Sequence, residues 1–356
     1  MPARPPSRSF ATAVALAPRE RGRSDVAHDT LSDVLRAVRL RGSVFFNISG
    51  SSRWAAEAPP SRDVAPLLMP GAEHVIEYHA VTQGSCWAGI PDGPWVQLGE
   101  GDVVVFPQGD AHVVASSPRM RGSGDLAWLT QVNSDAYPLQ VAYAGERAIH
   151  PSPPSDDADA TLVCGFLGCD LRPFNPLFSA LPRLLHLRAN DGSAWMARFT
   201  QQAVAESRAR RPGAEAMLAR MSEMMFVDAV RRYAEALPPG TSGWLAALGD
   251  RFVGHALRLI HEQPAHEWTI EEIGQRVGLS RSTLHERFVE LIGMPPMQYL
   301  AQWRMQSAGR LLLESRAPIA SIALDVGYDS EAAFSRAFKR LVGKPPAAWR
   351  RERMAG

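Results

Sequence analysis

Cysteine is nearly missing from this sequence of 356 residues, which carries only Cys86, Cys164 and Cys169. Three thiols cannot build the paired framework of a small secreted domain, and they fit a reducing compartment. No sign of charge dominates: 38 Lys and Arg against 37 Asp and Glu leave a formal net charge of +1. That balance excludes a polybasic or acidic chain as the basis of function, while leaving room for a local basic face. Nor does any uncharged apolar run approach the roughly 18 residues needed to span a bilayer. The expectation is a cytoplasmic protein without a membrane partner. A hydrophobic share of 46% with 21% charged residues excludes wholesale disorder.

What is present changes texture along the chain. Residues 1–26, rich in Pro, Arg and Ser, read as a disordered tail; the run from Phe10 to Ala17 behind Arg4 and Arg8 is marginal as a signal segment. Leu31, Val34, Leu35 and Val38 have helical spacing. Short apolar stretches between Gly, Pro and Asp turns then predict β structure to about Arg188, with an exposed loop at Pro151–Asp159. Past Asn190 the pattern is helical. Strands first and helices later predict a multidomain α+β protein. The first helical block, Ala194 to Leu237, breaks near Arg211-Pro212-Gly213 and carries a stripe of Met217, Met221, Met224, Met225, Ala229 and Val230. Such a stripe is core or a partner-helix contact. Pro238 to Gly243 reads as a linker.

The last hundred residues repeat themselves. Ile270, Ile273, Val277 and Gly278 recur 49 residues later as Ile319, Ile322, Val326 and Gly327. Ser280, Leu284, Phe288, Leu291, Gly293, Pro295 and Pro296 recur 50 later as Ser330, Phe334, Phe338, Leu341, Gly343, Pro345 and Pro346. In each copy a glycine ends a short helix, serine caps the next, and apolar residues at +4, +8 and +11 bury one face of it. Thr269 with Glu272 predicts a capping box, and Pro318 suits the first turn of the second copy. Two helices joined by a tight turn make a helix-turn-helix, and two copies in register are strong evidence for it. The segment from Met297 to about Ser315 would span roughly 27–30 Å as one helix. That length suits two recognition helices in successive major grooves about 34 Å apart.

The stretch from Thr269, and above all the run GY-x-S-x-x-x-F-S-R-x-F-K from Gly327 to Lys339 with its Gly-x-Pro-Pro exit, resembles the DNA-binding domain of AraC-type transcription regulators. The resemblance implies two helix-turn-helices reading adjacent grooves of duplex promoter DNA. Helical periodicity points Ser282, His285, Glu286 and Val289 outward in the first recognition helix, and Ala332, Ser335, Arg336 and Lys339 in the second, which Glu331 opens. Arg336 is the candidate for a bidentate guanine contact, with phosphate clamping as the alternative. His285 is a base contact or a solvated histidine, and Glu286 a cytosine acceptor or a surface carboxylate. Arg281, Lys339 and Arg340 are candidate phosphate contacts.

Upstream, Gly101 to His112 resembles the second cupin motif, G-x5-P-x-G-x-x-H, and Tyr78 to Gly84 resembles a degraded first motif. Val81 stands where the family has its second histidine, the carboxylate ligand has no counterpart, and Ser116 replaces an asparagine. The resemblance implies a cupin-like β-barrel used as a sensor, with any metal or cofactor unspecified. AraC-type regulators often carry such a domain, and Thr161 to Asp170 resembles a segment found in them. The implied organisation is a tail at 1–26, a sensing domain at 27–190, a dimerisation and coupling hairpin at 191–240, and a double helix-turn-helix DNA-binding domain at 250–350. His79, His112 and Cys86 are expected to line the effector cavity. Cys164 and Cys169, flanking a possible turn at Gly165–Gly168, are expected as redox-sensitive neighbours. The expected partners are promoter DNA, a small-molecule or redox effector, a second copy of the chain, and RNA polymerase if the protein activates. The rival from another class is a metal-dependent cupin oxygenase or isomerase with a helical appendage; a nonspecific architectural DNA binder is a third.

Overall fold

The computed structural model describes residues 28–124, 139–149, 152, 157–189, 194–209 and 211–355. The expected tail at 1–26 and most of the loop at 151–159 lie outside the described residues.

Helix α1 (Thr30–Val38) starts where the Asp29 side chain accepts from the backbone N–H of Ser32, and it buries Val34, Ala37 and Val38. A nearly closed barrel follows, with ten strands among the described residues: β1 (Arg41–Ala58), β2 (His74–Gly84), β3 (Cys86–Gly89), β4 (Trp95–Leu98), β5 (Val103–Phe106), β6 (His112–Ala115), β7 (Leu139–Gly145), β8 (Arg147–Ile149), β9 (Ala160–Cys169) and β10 (Leu185–Leu187). The main strand order is β10-β5-β2-β9-β1-β6-β3-β4, with β7 and β8 branching from β1. Every pair is antiparallel except β1 with β7. The long β1 serves both sides. Its first part pairs with β9 and its end with β6, and irregularities near Gly42 and between Ser51 and Trp54 bend it from one side to the other. Two helices interrupt the stretch expected to be all strand and turn, α2 (Ser61–Leu68) and α3 (Pro176–Ala180).

Alternation along the strands separates two cores. In β2, Val75 and Val81 join the barrel interior, whereas Ile76, Tyr78 and Ala80 join a core shared with the helices. In β9, Leu162, Cys164 and Phe166 face inward, and Leu167 and Cys169 face the helices. This corrects the expected turn at Gly165–Gly168, because β9 is continuous from 160 to 169. Cys164 and Cys169 lie on opposite faces and about 16 Å apart at 3.3 Å per residue, so they do not pair. The two glycines mark close approaches instead. A Cβ on Gly165 would lie 2.4 Å from the Tyr78 hydroxyl, and one on Gly168 would lie 2.8 Å from Cε of Met69.

Helices α4 (Ala194–Ala209) and α5 (Ala214–Ala236) form the hairpin, broken at Gly213 as expected. Leu218, Met225, Phe226, Ala229 and Val230 of α5 are buried in the core between barrel and helices. The Ser222 hydroxyl donates to the Leu218 carbonyl and lies 2.6 Å from the Tyr78 hydroxyl of the barrel. The methionine stripe therefore splits. Met225, expected with Met221 and Met224 at a helix–helix dimer contact, is instead core; Met221 is half-buried against that core, while Met217 and Met224 are 50% and 56% exposed.

The remaining helices are α6 (Trp244–Leu248), α7 (Val253–Glu262), α8 (Ile270–Val277), α9 (Arg281–Ile292), α10 (Pro296–Glu314), α11 (Ile319–Asp325), α12 (Glu331–Val342) and α13 (Pro346–Ala355). The duplication is visible as α8–α9 and α11–α12. Gly278 and Gly327 adopt left-handed φ values of 80° and 82° at the two turns. Ser280 accepts from Thr283 N at 3.3 Å, and Ser330 from Ala333 N at 3.2 Å. Thr269 caps α8 through Glu272 N, but the Glu272 carboxylate turns to His266 and Arg276, leaving the capping box half-made. Leu341 is exposed, and Val342 fills the core position predicted for it. Ser330→Ala should cost about 1 kcal/mol of helical-unit stability, read as a lower midpoint in denaturant titration of the full chain.

The two halves are joined by specific contacts. Gln306 of α10 donates to the Ala37 carbonyl at 2.9 Å and accepts from Phe174 N at 2.8 Å. Gly309 faces Pro173 so closely that a Cβ would lie 2.7 Å from its Cδ. Arg353 of α13 pairs with Glu73 and, at 3.0 Å, with Asp170.

Candidate nucleic-acid interface and sensing cavity

Both recognition helices have the same length, the same serine cap and the same buried anchors. Leu284 and Phe288 in α9, and Phe334 and Phe338 in α12, are fully buried. Periodicity then turns the predicted residues outward: Arg281, Ser282, His285 and Glu286 are exposed, as are Glu331, Ala332, Arg336, Lys339 and Arg340, while Ser335 is half-buried. Their charges differ in availability. Arg281 is 2.8 Å from Glu271. Nearby Arg287, on the same helix, is held by Asp250 at 2.6 Å. Among the described residues, no ion pair engages Arg336, Lys339 or Arg340, so α12 presents three uncommitted cations. A guanidinium in that position can fork onto a guanine edge, and the lysine and second arginine can reach phosphates.

In the barrel, the structure brings His79 of β2 and His112 of β6 together, with their Nε2 atoms 2.7 Å apart. Both are buried. Gly101 and Gly109, with φ of 83° and 66°, form the turns that bracket β5 and deliver His112. The His112 ring stacks on Phe106 at 3.8 Å between centroids. Cys86 is not part of this group; it packs in the barrel core and does not line the cavity, which corrects its expected role. Cys164 takes that place, its Sγ 2.7 Å from His79 Nδ1. Glu77, missed in the sequence, is the other member. Its Oε2 lies 3.6 Å from His112 Nε2, and its Oε1 is buried without a hydrogen-bond partner. The only sequence signal for Glu77 is its i, i+2 relation to His79, which puts both on one strand face.

Hydrogen-bond bookkeeping fixes the protons. His112 Nδ1 faces the Asp110 carbonyl at 2.9 Å and must donate to it. In the neutral ring its Nε2 is then an acceptor, so His79 Nε2 donates to it and His79 Nδ1 accepts from the Cys164 thiol. Burial supports neutral groups throughout: it lowers His112 to about 4, drives His79 well below the usual histidine range, and drives Cys164 well above the usual thiol range. Desolvation pushes Glu77 up to about 8, so it is protonated at neutral pH. The four side chains form the polar floor of a cavity of about 70 Å³ whose walls include Phe46, Ile48, Val141 and Phe166. Among the described residues, no group of three or more His, Cys, Asp or Glu is arranged to hold a metal ion.

Comparison with known proteins follows the same division. A family model described as Cupin matches residues 29–235, spanning the barrel and the α4–α5 hairpin, and one described as a helix-turn-helix domain matches residues 273–352. An AraC-like transcription regulator of Streptomyces lividans is 30% identical over 91% of this chain and 98% of its own length. The HTH-type transcriptional regulator AlkR of Acinetobacter baylyi is 27% identical over 91% of this chain and 99% of its own. Among solved structures, the DNA-binding domain of AdpA in complex with a target DNA is 30% identical, covering 30% of this chain and 96% of that one, with a TM-score of 0.29.

Proposed function

The chain belongs to the AraC-like transcription regulators with an N-terminal cupin domain and a C-terminal helix-turn-helix domain, and from that membership we propose that α9 and α12 read promoter DNA in adjacent major grooves under control of the barrel cavity. The observation that carries the reading is the duplicated, serine-capped recognition helix, whose second copy exposes Arg336, Lys339 and Arg340 with no ion pair to any described residue. Arg336 is assigned a base edge, with Lys339, Arg340 and Arg281 on phosphates; Ser282, His285, Glu286, Glu331, Ala332 and Ser335 complete the two reading faces. His79 and His112 belong to the effector site. The proposed units are a sensor at 27–190, a coupling hairpin at 191–240 and a DNA-binding unit at 250–350. No described helix is long and apolar enough to cross a membrane. The comparisons favour this reading over a cupin oxygenase or isomerase, since the relatives matched across most of their length are transcription regulators.

A salt-controlled titration of the full chain on its own upstream DNA, against a scrambled duplex, tests the proposal. A specific site should bind at least 10³-fold more tightly than the scramble, and equal binding overturns sequence-specific recognition.

The functional unit is a homodimer through the α5 face that exposes Met217 and Met224, beside the half-buried Met221, with RNA polymerase as a further partner where the protein activates. These side chains sit at i, i+4 and i+7 and so share one helix face. Met224→Glu should yield a folded monomer with weaker operator binding. Sedimentation of the variant as an unchanged dimer, or of the parent protein as a monomer, rejects this contact.

A further inference from the structure

The polar floor of the barrel cavity is saturated at every atom but one group. The Cys164 thiol, both His79 nitrogens and both His112 nitrogens are committed to one another and to the Asp110 carbonyl. Glu77, 2% exposed, turns a carboxyl into the cavity with Oε1 unpartnered. A buried polar atom without a partner costs free energy, so a ligand that supplies one gains it back on binding.

We infer that this cavity takes a small uncharged organic molecule, bearing a single hydroxyl or carbonyl group that hydrogen-bonds to Glu77 and an apolar remainder against Phe46, Ile48, Val141 and Phe166. The inference rests on the reading of the barrel as a sensor and adds the ligand's chemical class.

Three arguments select that class. A neutral carboxyl offers one donor and one acceptor, which a hydroxyl or carbonyl matches. An anionic head would lie beside the carboxyl groups of Glu77 and Glu57 and two neutral imidazoles, with no cation among the described lining residues, and a buried unpaired anion is strongly disfavoured. An ammonium head would ionise Glu77 but bring three N–H donors to a wall where Glu57 is already held by Arg121 and the Tyr143 hydroxyl is the further acceptor among the described lining residues, so part of its desolvation would go uncompensated. Size limits the ligand as well. A dry cavity of about 150 Å³ holds benzene, so about 70 Å³ admits a molecule of roughly half that size.

The matched probes are 1-propanol, acetone, propionate and propylammonium, observed by saturation-transfer NMR on the full chain at pH 7. The alcohol and ketone should bind at least tenfold more tightly than either ion. Glu77→Gln, which keeps a neutral donor and acceptor, should retain binding within about threefold, and Glu77→Leu should lose it. Val141→Phe, which fills the cavity with a larger side chain, should lose it too. The other titratable groups of the lining are His79 and His112, neutral above their lowered values, Cys164 and Tyr143, whose burial keeps them protonated, and Glu57, whose hydrogen bond to Arg121 holds it below the usual carboxylate range and ionised. Glu77 is therefore the group that titrates here near neutrality, and binding should weaken as pH rises past about 8. Equal binding of propionate or propylammonium, no binding of any probe, or indifference to Glu77→Leu overturns the inference. Binding of the neutral probes that leaves DNA affinity unchanged would preserve this site and overturn the sensor reading instead.

Discussion

Phe334→Ala should remove about 3–5 kcal/mol from the second helix-turn-helix, the range for emptying a fully buried aromatic site. Phe334 packs edge-on against Tyr328, at 5.7 Å, and tilted against Phe338, at 5.5 Å, in a core closed by Met305, Leu312, Ile322 and Trp349. That core is small and separate from the one under α9. Loss on this scale should unfold α11 and α12 while the barrel and first copy stay folded. Hydrogen exchange would show lost protection confined to residues 319–342, and DNA binding should fall to the nonspecific level. Uniform loss of protection across the chain would mean that the two helical cores are not separable.

Arg336→Ala should cost about 1–3 kcal/mol at the specific site, or roughly 5- to 150-fold in affinity, and relax preference at one base pair. Lys339→Ala should instead weaken all sequences alike and flatten the dependence of log affinity on log salt by about one unit. The contrast between the two is the informative result. If Arg336→Ala leaves discrimination intact and flattens the salt slope, the guanidinium sits on a phosphate.

The helical third was legible in the sequence because its determinants are local. A capping serine, a left-handed glycine and apolar residues at +4 and +8 all act within a dozen residues, so one repeat unit checks the other. Leu341 shows the limit: one position of rotation separates it from Val342, and α12 packing chose the latter. The barrel was less legible because its decisive contacts are long-range. Residues 75–81 are all buried, so the apolar run hides that Glu77 and His79 face the cavity while Tyr78 faces α5. Gly165 and Gly168 resemble a turn in isolation; only the positions of Tyr78 and Met69 across the sheet show why a strand needs them. Cys86 and Cys164 could not be told apart by spacing, since their places depend on which strands pair with β3 and β9. The sequence of α5 likewise contains both faces of the helix, and only its docking on the barrel assigns Met225 to one and Met224 to the other.

The side-chain amide of Gln306 ties one helix of the DNA-binding half to two separate segments of the sensor, the end of α1 and the chain before α3. Interchangeability of parts is therefore limited. Grafting this helix-turn-helix unit onto another barrel would leave a buried amide without partners, at about 1–3 kcal/mol, and would set Gly309 against a surface not shaped by Pro173. A working chimera must carry Ala37, Pro173 and Phe174 across with Gln306 and Gly309. Lineages that exchanged sensors should accordingly have exchanged both sides of this joint together.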